Sequence, residues 1–328
     1  VITRRRASLA SCVGLMLTHR LGAGQAVPAL RRVGYLGITS MGTGGQLVEA
    51  FKQGMRDLGW VEGTNIEYRT VYAEGDASRL DELARALLSL RVEVIAVGSA
   101  QAARAAQKAT KTVPIVMTGV GNAADSGFVA SLASPGGNVT GVSAQSEEVL
   151  AKLVEILHGV VPTARRISFL LNEGNPMYSV LLASAQAACA KLRLVALPVA
   201  ANSAAEFAAA AQQILGSRSQ AVVVVGDATF FAERDRLLSR MQATRLPVVY
   251  MWREMVVAGG LLSYAFDLAA SFRYSAKWVD KILNGAKPAS LPVEQPTKFE
   301  LVINLKTAKA MRLTIPQSLL VRADEVIE

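Results

Sequence analysis

The stretch Pro135-Gly136-Gly137-Asn138-Val139-Thr140-Gly141 divides the chain into two halves that carry the same alternation of strand and helix signals. Before it, Arg32 to Gly37 reads as a strand. Gly45 to Leu58 has Leu47, Val48, Phe51, Met55 and Leu58 at helical spacing, and Gly59 ends it. A strand at Asn65 to Tyr72 follows, then a helix that Ser78 and Asp81 open and Leu80, Leu83, Ala84, Leu87 and Leu88 bury. The continuously apolar Val92 to Val97 suits a parallel strand covered on both faces. Helix Gln101 to Ala109 and strand Val113 to Met117 complete the half.

After the divide the order recurs. Arg166 to Leu171 is a strand, Tyr178 to Leu192 a helix and Leu194 to Val199 a strand. Ser203-Ala204-Ala205-Glu206 reads as a capping box, Ala221 to Val225 as a strand, Phe230 to Ala243 as a helix and Pro247 to Met251 as a strand. Strands that alternate with helices build parallel, doubly wound sheets. The expected fold is therefore α/β, with two doubly wound parallel-sheet lobes joined by a three-stranded hinge. The tail supplies a strand at Gly259 to Tyr264, a long helix at Leu268 to Leu283, an extended connector marked by Pro288, Pro292 and Pro296, a strand at Phe299 to Asn304 and a short helix at Lys306 to Met311. Chain crossings near 141–146, 264–268 and 290–298 place residues 31–143 and 267–290 in lobe 1, and residues 144–266 and 291–328 in lobe 2. A ligand would sit in the cleft between them, and the molecule would work as a clamp.

The chain has 328 residues, the size of two ordinary domains, and is 51% hydrophobic, ample for two cores. Four of its nine net positive charges are Arg4, Arg5, Arg6 and Arg20, and residues 1–30 hold no acid. The rest carries a mild excess with no basic stripe interleaved with aromatics, so no nucleic-acid partner is expected. Arg4-Arg5-Arg6, the short apolar run Ala7 to Thr18 and the small residues ending at Ala26 form a secretory signal pattern over residues 1–26. The expected location is periplasmic, as a monomer. Leu9-Ala10-Ser11-Cys12 mimics a lipoprotein box, but the apolar run before Cys12 is very short, so lipid anchoring is not expected. Cys189 would then be the one remaining thiol, in an Ala-rich helical run that favours a buried structural role.

Ligands of open α/β sheets bind beyond the carboxyl ends of the strands. The polar residues there are Thr39, Ser40, Ser99, Gln101, Thr118 and Asn122 in lobe 1, and Asn172, Asn175, Asp227 and Thr229 in lobe 2. Hydroxyls and amides at helix N-termini hold anionic groups such as carboxylates, and Asp227 can take an ammonium. Helix capping explains Ser99, Asn175 or Asp227 equally well when each is taken singly. Trp252 follows the last strand of lobe 2, where a cleft wall belongs. No cofactor, metal or catalytic set is expected. His158 fits the C-terminus of a helix, no His/Cys/carboxylate cluster has metal spacing, and no Ser lies in Gly-x-Ser-x-Gly. Gly42-Thr43-Gly44-Gly45 stands where a dinucleotide loop would, but Leu47 takes the third glycine position. Asn138-Val139-Thr140, formally a glycosylation sequon, reads as a turn.

Lys298 to Ala310 with Leu313-Thr314-Ile315-Pro316 resembles the C-terminal signature of bacterial ABC-transporter substrate-binding proteins. Ser134 to Gly141, Ala258-Gly259-Gly260-Leu261, Arg322 to Ile327 and the opening Arg32 to Leu36 are similar to that family as well. The resemblance covers essentially everything after residue 30. It implies a type I periplasmic binding fold, a small-molecule ligand and a membrane permease of an ABC importer as partner. Some members take up aromatic amino acids such as tryptophan. At the hinge edge of the cleft, Tyr264 and Asp267 join the candidate ligand residues; between them stand Ala265-Phe266, where the family commonly has Gly and a variable residue. The expected function is solute binding for import, of a small polar or aromatic ligand, amino acids included. The alternatives are a ligand-sensing regulatory or receptor module on the same clamp and a secreted α/β enzyme.

Overall fold

The computed structural model describes residues 30–328. The expected signal segment and Cys12 lie outside them. The first half forms β1 (Arg31–Gly37), α1 (Met41–Asp57), β2 (Ile66–Tyr72), α2 (Leu80–Ser89), β3 (Val94–Val97), α3 (Ala100–Ala109), β4 (Ile115–Gly121) and β5 (Val139–Ala144). The second begins with α4 (Ser146–Val160), β6 (Arg166–Leu171), α5 (Tyr178–Lys191), β7 (Val195–Ala200), α6 (Phe207–Gly216) and β8 (Ala221–Val224). It continues with α7 (Ala228–Ala232), α8 (Arg234–Ala243), β9 (Val248–Tyr250), α9 (Arg253–Val257) and β10 (Leu262–Ala265). The tail adds α10 (Leu268–Leu283), β11 (Glu300–Asn304), α11 (Leu305–Ala310), α12 (Gln317–Leu320) and β12 (Glu325–Ile327).

The first sheet runs β2-β1-β3-β4-β5, all parallel. The second runs β7-β6-β8-β9-β10, also parallel, extended by antiparallel β11 and then β12. The two halves thus repeat one strand order. In each, the central strand is buried at every position, β3 as Val-Ile-Ala-Val and β8 as Ala-Val-Val-Val. Helices cover both faces, α1 and α10 opposite α2 and α3 in the first lobe, α4 and α5 opposite α6 and α8 in the second. Cys189 is buried in α5 with its thiol free, and burial pushes that thiol up to about 11, which makes it a poor nucleophile.

Three segments cross between the sheets. β5 of the first sheet leads directly into α4 on the second, and β10 of the second leads into α10 on the first. The third segment lies beside β5, where Ser143 N donates to Glu294 O at 2.9 Å and Glu294 N to Gly141 O at 3.0 Å, before it enters β11.

Several local readings are corrected. Pro135 to Gly141 leads into the fifth strand of the first sheet, and the crossing falls after Ala144. Asn138 is no free turn: its Nδ2 donates to Val113 O at 2.9 Å and ties the start of β5 to the loop before β4. The segment Gly42 to Gly45 is helical, inside α1, because Ser40 and Thr43 cap each other's backbone N–H reciprocally. A 3-10 turn capped by Asp76 precedes α2, so Asp76 and not Ser78 opens it. Ser203 and Glu206 bond side chain to side chain, and Glu206 accepts from Asn202 N, so the expected box does not close. The helix expected at 230–243 divides into α7 and α8 at Glu233.

α10 returns the chain to lobe 1 and packs along α1 at Gly54. A Cβ there would overlap the carbonyl oxygen of Arg273 and lie 2.9 Å from Ala276 Cβ. In an open helix Gly→Ala gains up to about 1 kcal/mol, but overpacking against a backbone atom costs roughly 1–3 kcal/mol. Gly54→Ala should therefore lower the melting temperature by several degrees. Gly216→Ala, with nothing within 4 Å of the added carbon, should leave it unchanged or raise it. Thermal unfolding of the two variants checks the sign of each.

Candidate functional site

The order 2-1-3-4-5 places a topological switch point between the first and third strands of each sheet, where loops diverge and leave a crevice. The two crevices face each other. Gly98-Ser99-Ala100-Gln101 opens α3 after β3, and Gly226-Asp227-Ala228-Thr229 opens α7 after β8. Ser99 Oγ accepts from Ala102 N at 3.1 Å, and Asp227 Oδ1 accepts from Thr229 N at 2.8 Å. Capping and a cleft position therefore coincide at both residues.

Asp227 is 4% exposed, and both carboxylate oxygens are occupied. Oδ1 also accepts from Asn172 Nδ2 at 2.9 Å. Oδ2 accepts from Asn175 Nδ2 at 2.7 Å and from Gln101 Nε2 at 2.7 Å. Gln101 belongs to lobe 1, so this last bond spans the cleft. A carboxylate has about four lone-pair sites, and here four N–H groups fill them. Gln101 Oε1 is left buried without a partner, and so is Thr39 Oγ1 on the wall of the same cavity.

Thr39, Ser99, Gln101, Asn175, Asp227 and Trp252 are brought together around that cavity. Asn172 and Thr229 stand behind Asp227 and orient it. The others serve elsewhere. Ser40 caps α1. Thr118 Oγ1 donates to Val97 O inside the first sheet. Asn122 sits at φ +45 in a separate small recess with Glu147. Tyr264 stacks on Phe299 at 5.9 Å, and Asp267 caps α10. The sequence reading missed the apolar lining, chiefly Tyr35, Met177, Phe231, Phe266 and Phe272. Phe231 carried a usable signal. It directly follows Phe230, so of two adjacent aromatics on one helix only one can face the lobe's own core. Phe230 packs on Phe207 at 5.8 Å, while Phe231 meets the Trp252 ring edge-on at 5.5 Å and joins the apolar cluster of lobe 1.

The space open to the centre of a water molecule is about 90 Å³, in a partly open cavity between the lobes. Among the described residues lining it, Asp227 is the one charged side chain. Burial, with Tyr72 adding to it, raises the Tyr35 phenol well above its usual range, so Tyr35 faces the cavity as a neutral hydroxyl. The site is an aromatic box with one carboxylate and unpartnered hydroxyl and amide oxygens at one end.

The family model described as ABC transporter substrate binding protein matches residues 40–327. The chain belongs to that family. A "Tyrosine-binding protein" from Clostridioides difficile is 24% identical over 263 residues, 80% of this chain and 75% of that protein. An ABC domain from Streptococcus pneumonia, solved in complex with L-Trp, superposes with TM-score 0.85 at 26% identity over 91% of this chain and 100% of that one. A conserved domain protein from Vibrio cholerae does so equally, TM-score 0.85 at 26% identity over 90% and 99%. The fold is that of type I periplasmic binding proteins, and the role of the family is to bind a small solute.

The cross-cleft bond yields a direct expectation. Gln101→Ala removes a charge-assisted hydrogen bond worth about 1.5–3 kcal/mol, enough to shift a balanced two-state equilibrium by more than tenfold. Small-angle scattering of ligand-free protein should show a larger radius of gyration for Gln101→Ala than for the parent. An unchanged profile would show that this bond does not hold the lobes together.

Proposed function

We propose that this family member is the extracytoplasmic solute-binding component of an ABC importer and that its cleft takes an amino acid with an aromatic side chain. The observation that carries the ligand class is Asp227, a lone buried carboxylate at one end of an aromatic box. A buried charge requires an opposite charge or a full set of donors. An ammonium can take over the place of Gln101 Nε2 on Oδ2, and the unpartnered Gln101 Oε1 then accepts from the same ammonium after a small rotation. The ligand carboxylate goes to the N-terminus of α3, with the Ser99 and Thr39 hydroxyls as donors. The ring lies among Trp252, Phe231, Phe266 and Phe272, where a face or edge contact adds roughly 0.5–1.5 kcal/mol per pair beyond area burial. The tyrosine-binding relative and the L-Trp-bound neighbour support the same class.

In this reading residues 31–143 with 267–290 and residues 144–266 with 291–328 are the two units that move about the three crossings, except that Leu291 to Glu294 run along β5 and stay with the first unit. The protein is a periplasmic monomer that performs no chemistry on its ligand, engages a permease and binds no nucleic acid. Residues 1–26 are removed on export. N-terminal sequencing of native protein should find a start near Val27, and a cytoplasmic protein with residue 1 intact would defeat the export reading.

Calorimetric titration against L-tyrosine, L-tryptophan, L-phenylalanine and L-alanine tests the ligand class. The aromatic three should bind and alanine should bind far more weakly. Asp227→Asn should weaken binding roughly tenfold to a hundredfold. It also puts a donor where an oxygen accepted two N–H groups. Because the Thr229 N–H on Oδ1 is backbone and fixed, the new NH2 takes the place of Oδ2, the Gln101 and Asn175 amides must both flip, and the melting temperature should fall modestly. Unchanged affinity with that modest fall would confine Asp227 to a structural role.

A further inference from the structure

Phe266 lies in the second crossing, between β10 and α10, and is 9% exposed. It lines two spaces at once. One is the cleft cavity. The other is a recess on the back of the hinge, bounded also by Val142, Asp267, Ser271, Tyr274, Glu294 and Pro296. The recess offers about 390 Å³ to the centre of a water molecule, against about 90 Å³ in the cleft. β5 contributes to it through Val142, together with the second and third crossings.

The opposing wall is shaped to receive the ring. Gly119 of β4 has φ +139, a conformation that side chains rarely adopt, and a Cβ there would lie 3.3 Å from Phe266 Cε2 and 3.1 Å from Ser271 Oγ. The pairing of β4 with β5 shifts register between Thr118 and Val120, so the strand bulges at this residue. Ser271 Oγ donates to Thr118 O at 2.8 Å and fixes α10 against the bulge. A bulged strand bare of side chain thus faces a single aromatic ring, and that ring is shared by the cleft and the recess.

We propose that Phe266 is the back wall that sets how long a ligand side chain can be, and that removing its ring joins the cleft to the hinge recess. The inference rests on the cleft being the ligand site, as argued above. The class admitted without the ring is an aromatic amino acid extended at the far end of its ring. Its extension would run into a recess whose polar groups are the carboxylates of Asp267, Glu294 and Glu300, the Tyr274 hydroxyl and the Lys298 ammonium.

Calorimetric titration of the parent protein and Phe266→Ala with L-phenylalanine and O-benzyl-L-tyrosine tests this. The parent should bind phenylalanine and reject the benzyl ether. Phe266→Ala should bind the benzyl ether more tightly than the parent by roughly tenfold or more. A parent that accepts both, or a variant that still rejects the benzyl ether, would overturn the proposal. If the parent binds neither amino acid, the ligand reading fails separately, and the wall is then tested with 4-benzyloxyphenol, a two-ring rod without amino-acid groups. It should raise the melting temperature of Phe266→Ala and not that of the parent; an equal response would overturn the wall. Should Phe266→Ala fail to show native circular dichroism, Phe266→Val, which also removes the ring, takes its place in both measurements.

Discussion

The hydrogen bond from Gln101 Nε2 to Asp227 Oδ2, 2.7 Å long, is the point at which the two lobes become one molecule. Asp227 needs four donors because its carboxylate is buried, and no single strand end can supply them. Asn172 and Asn175 come from the loop after β6, Thr229 N from the first turn of α7 and Gln101 from α3 across the cleft. The shared strand order aims these ends at one another. If the lobes part, water replaces Gln101 at the carboxylate, so the bond is an exchange and its net worth is about 1.5–3 kcal/mol. That is small enough for a ligand to decide the balance through its differential contacts with the two states.

Opening must be confined to the crossings, and the packing shows why it can be. α10 is held to α1 at Gly54 by backbone-to-backbone approach, and α4 lies against β8, β9 and β10. Both helices start within two residues of a crossing strand, so each lobe grips its side of the hinge rigidly. The third crossing pairs with β5 through Glu294, whose carboxylate is held below its usual range by hydrogen bonds from Lys277 and the Tyr274 hydroxyl. The motion is left to short extended segments near 144–146, 265–268 and 296–299.

The two parallel sheets and most of their strands and helices were legible because strand and helix periodicities differ and the pattern occurs twice. What escaped was set by contacts distant in sequence. The glycines at 42–45 look like a loop, yet the Ser40–Thr43 caps make them helical. β5 carries Thr140, Gly141 and Ser143 in place of an apolar run and begins beside glycines, and its pairing with β4 identifies it. In the site, Thr39, Ser99, Gln101, Asn175 and Asp227 were legible as polar residues at strand ends. Tyr35 and Phe272 were not, because an aromatic in a strand or helix reads as core until the cavity it borders is seen; Phe266 stood out only as a departure at the hinge edge. Asp267 and Ser40 show the converse: polar residues next to the cleft whose side chains are consumed by caps.

The repeat explains how one local design serves both polar and apolar ends of the site. Each half presents Gly, then a capping residue, then Ala, after its central strand. The cap lines the cleft cavity, while the glycine leaves room for an aromatic from its own lobe. A Cβ at Gly98 would lie 2.7 Å from the Tyr35 hydroxyl and 2.9 Å from Phe272, and one at Gly226 would lie 3.0 Å from Trp252. Polar recognition and ring packing are therefore adjacent along the backbone in both lobes. At the cap position the lobes differ, with Ser99 in one and Asp227 in the other. A hydroxyl with a free helix N-terminus suits an anion, and a carboxylate suits a cation. Because the two differ, a cleft built from two copies of one motif is asymmetric in charge.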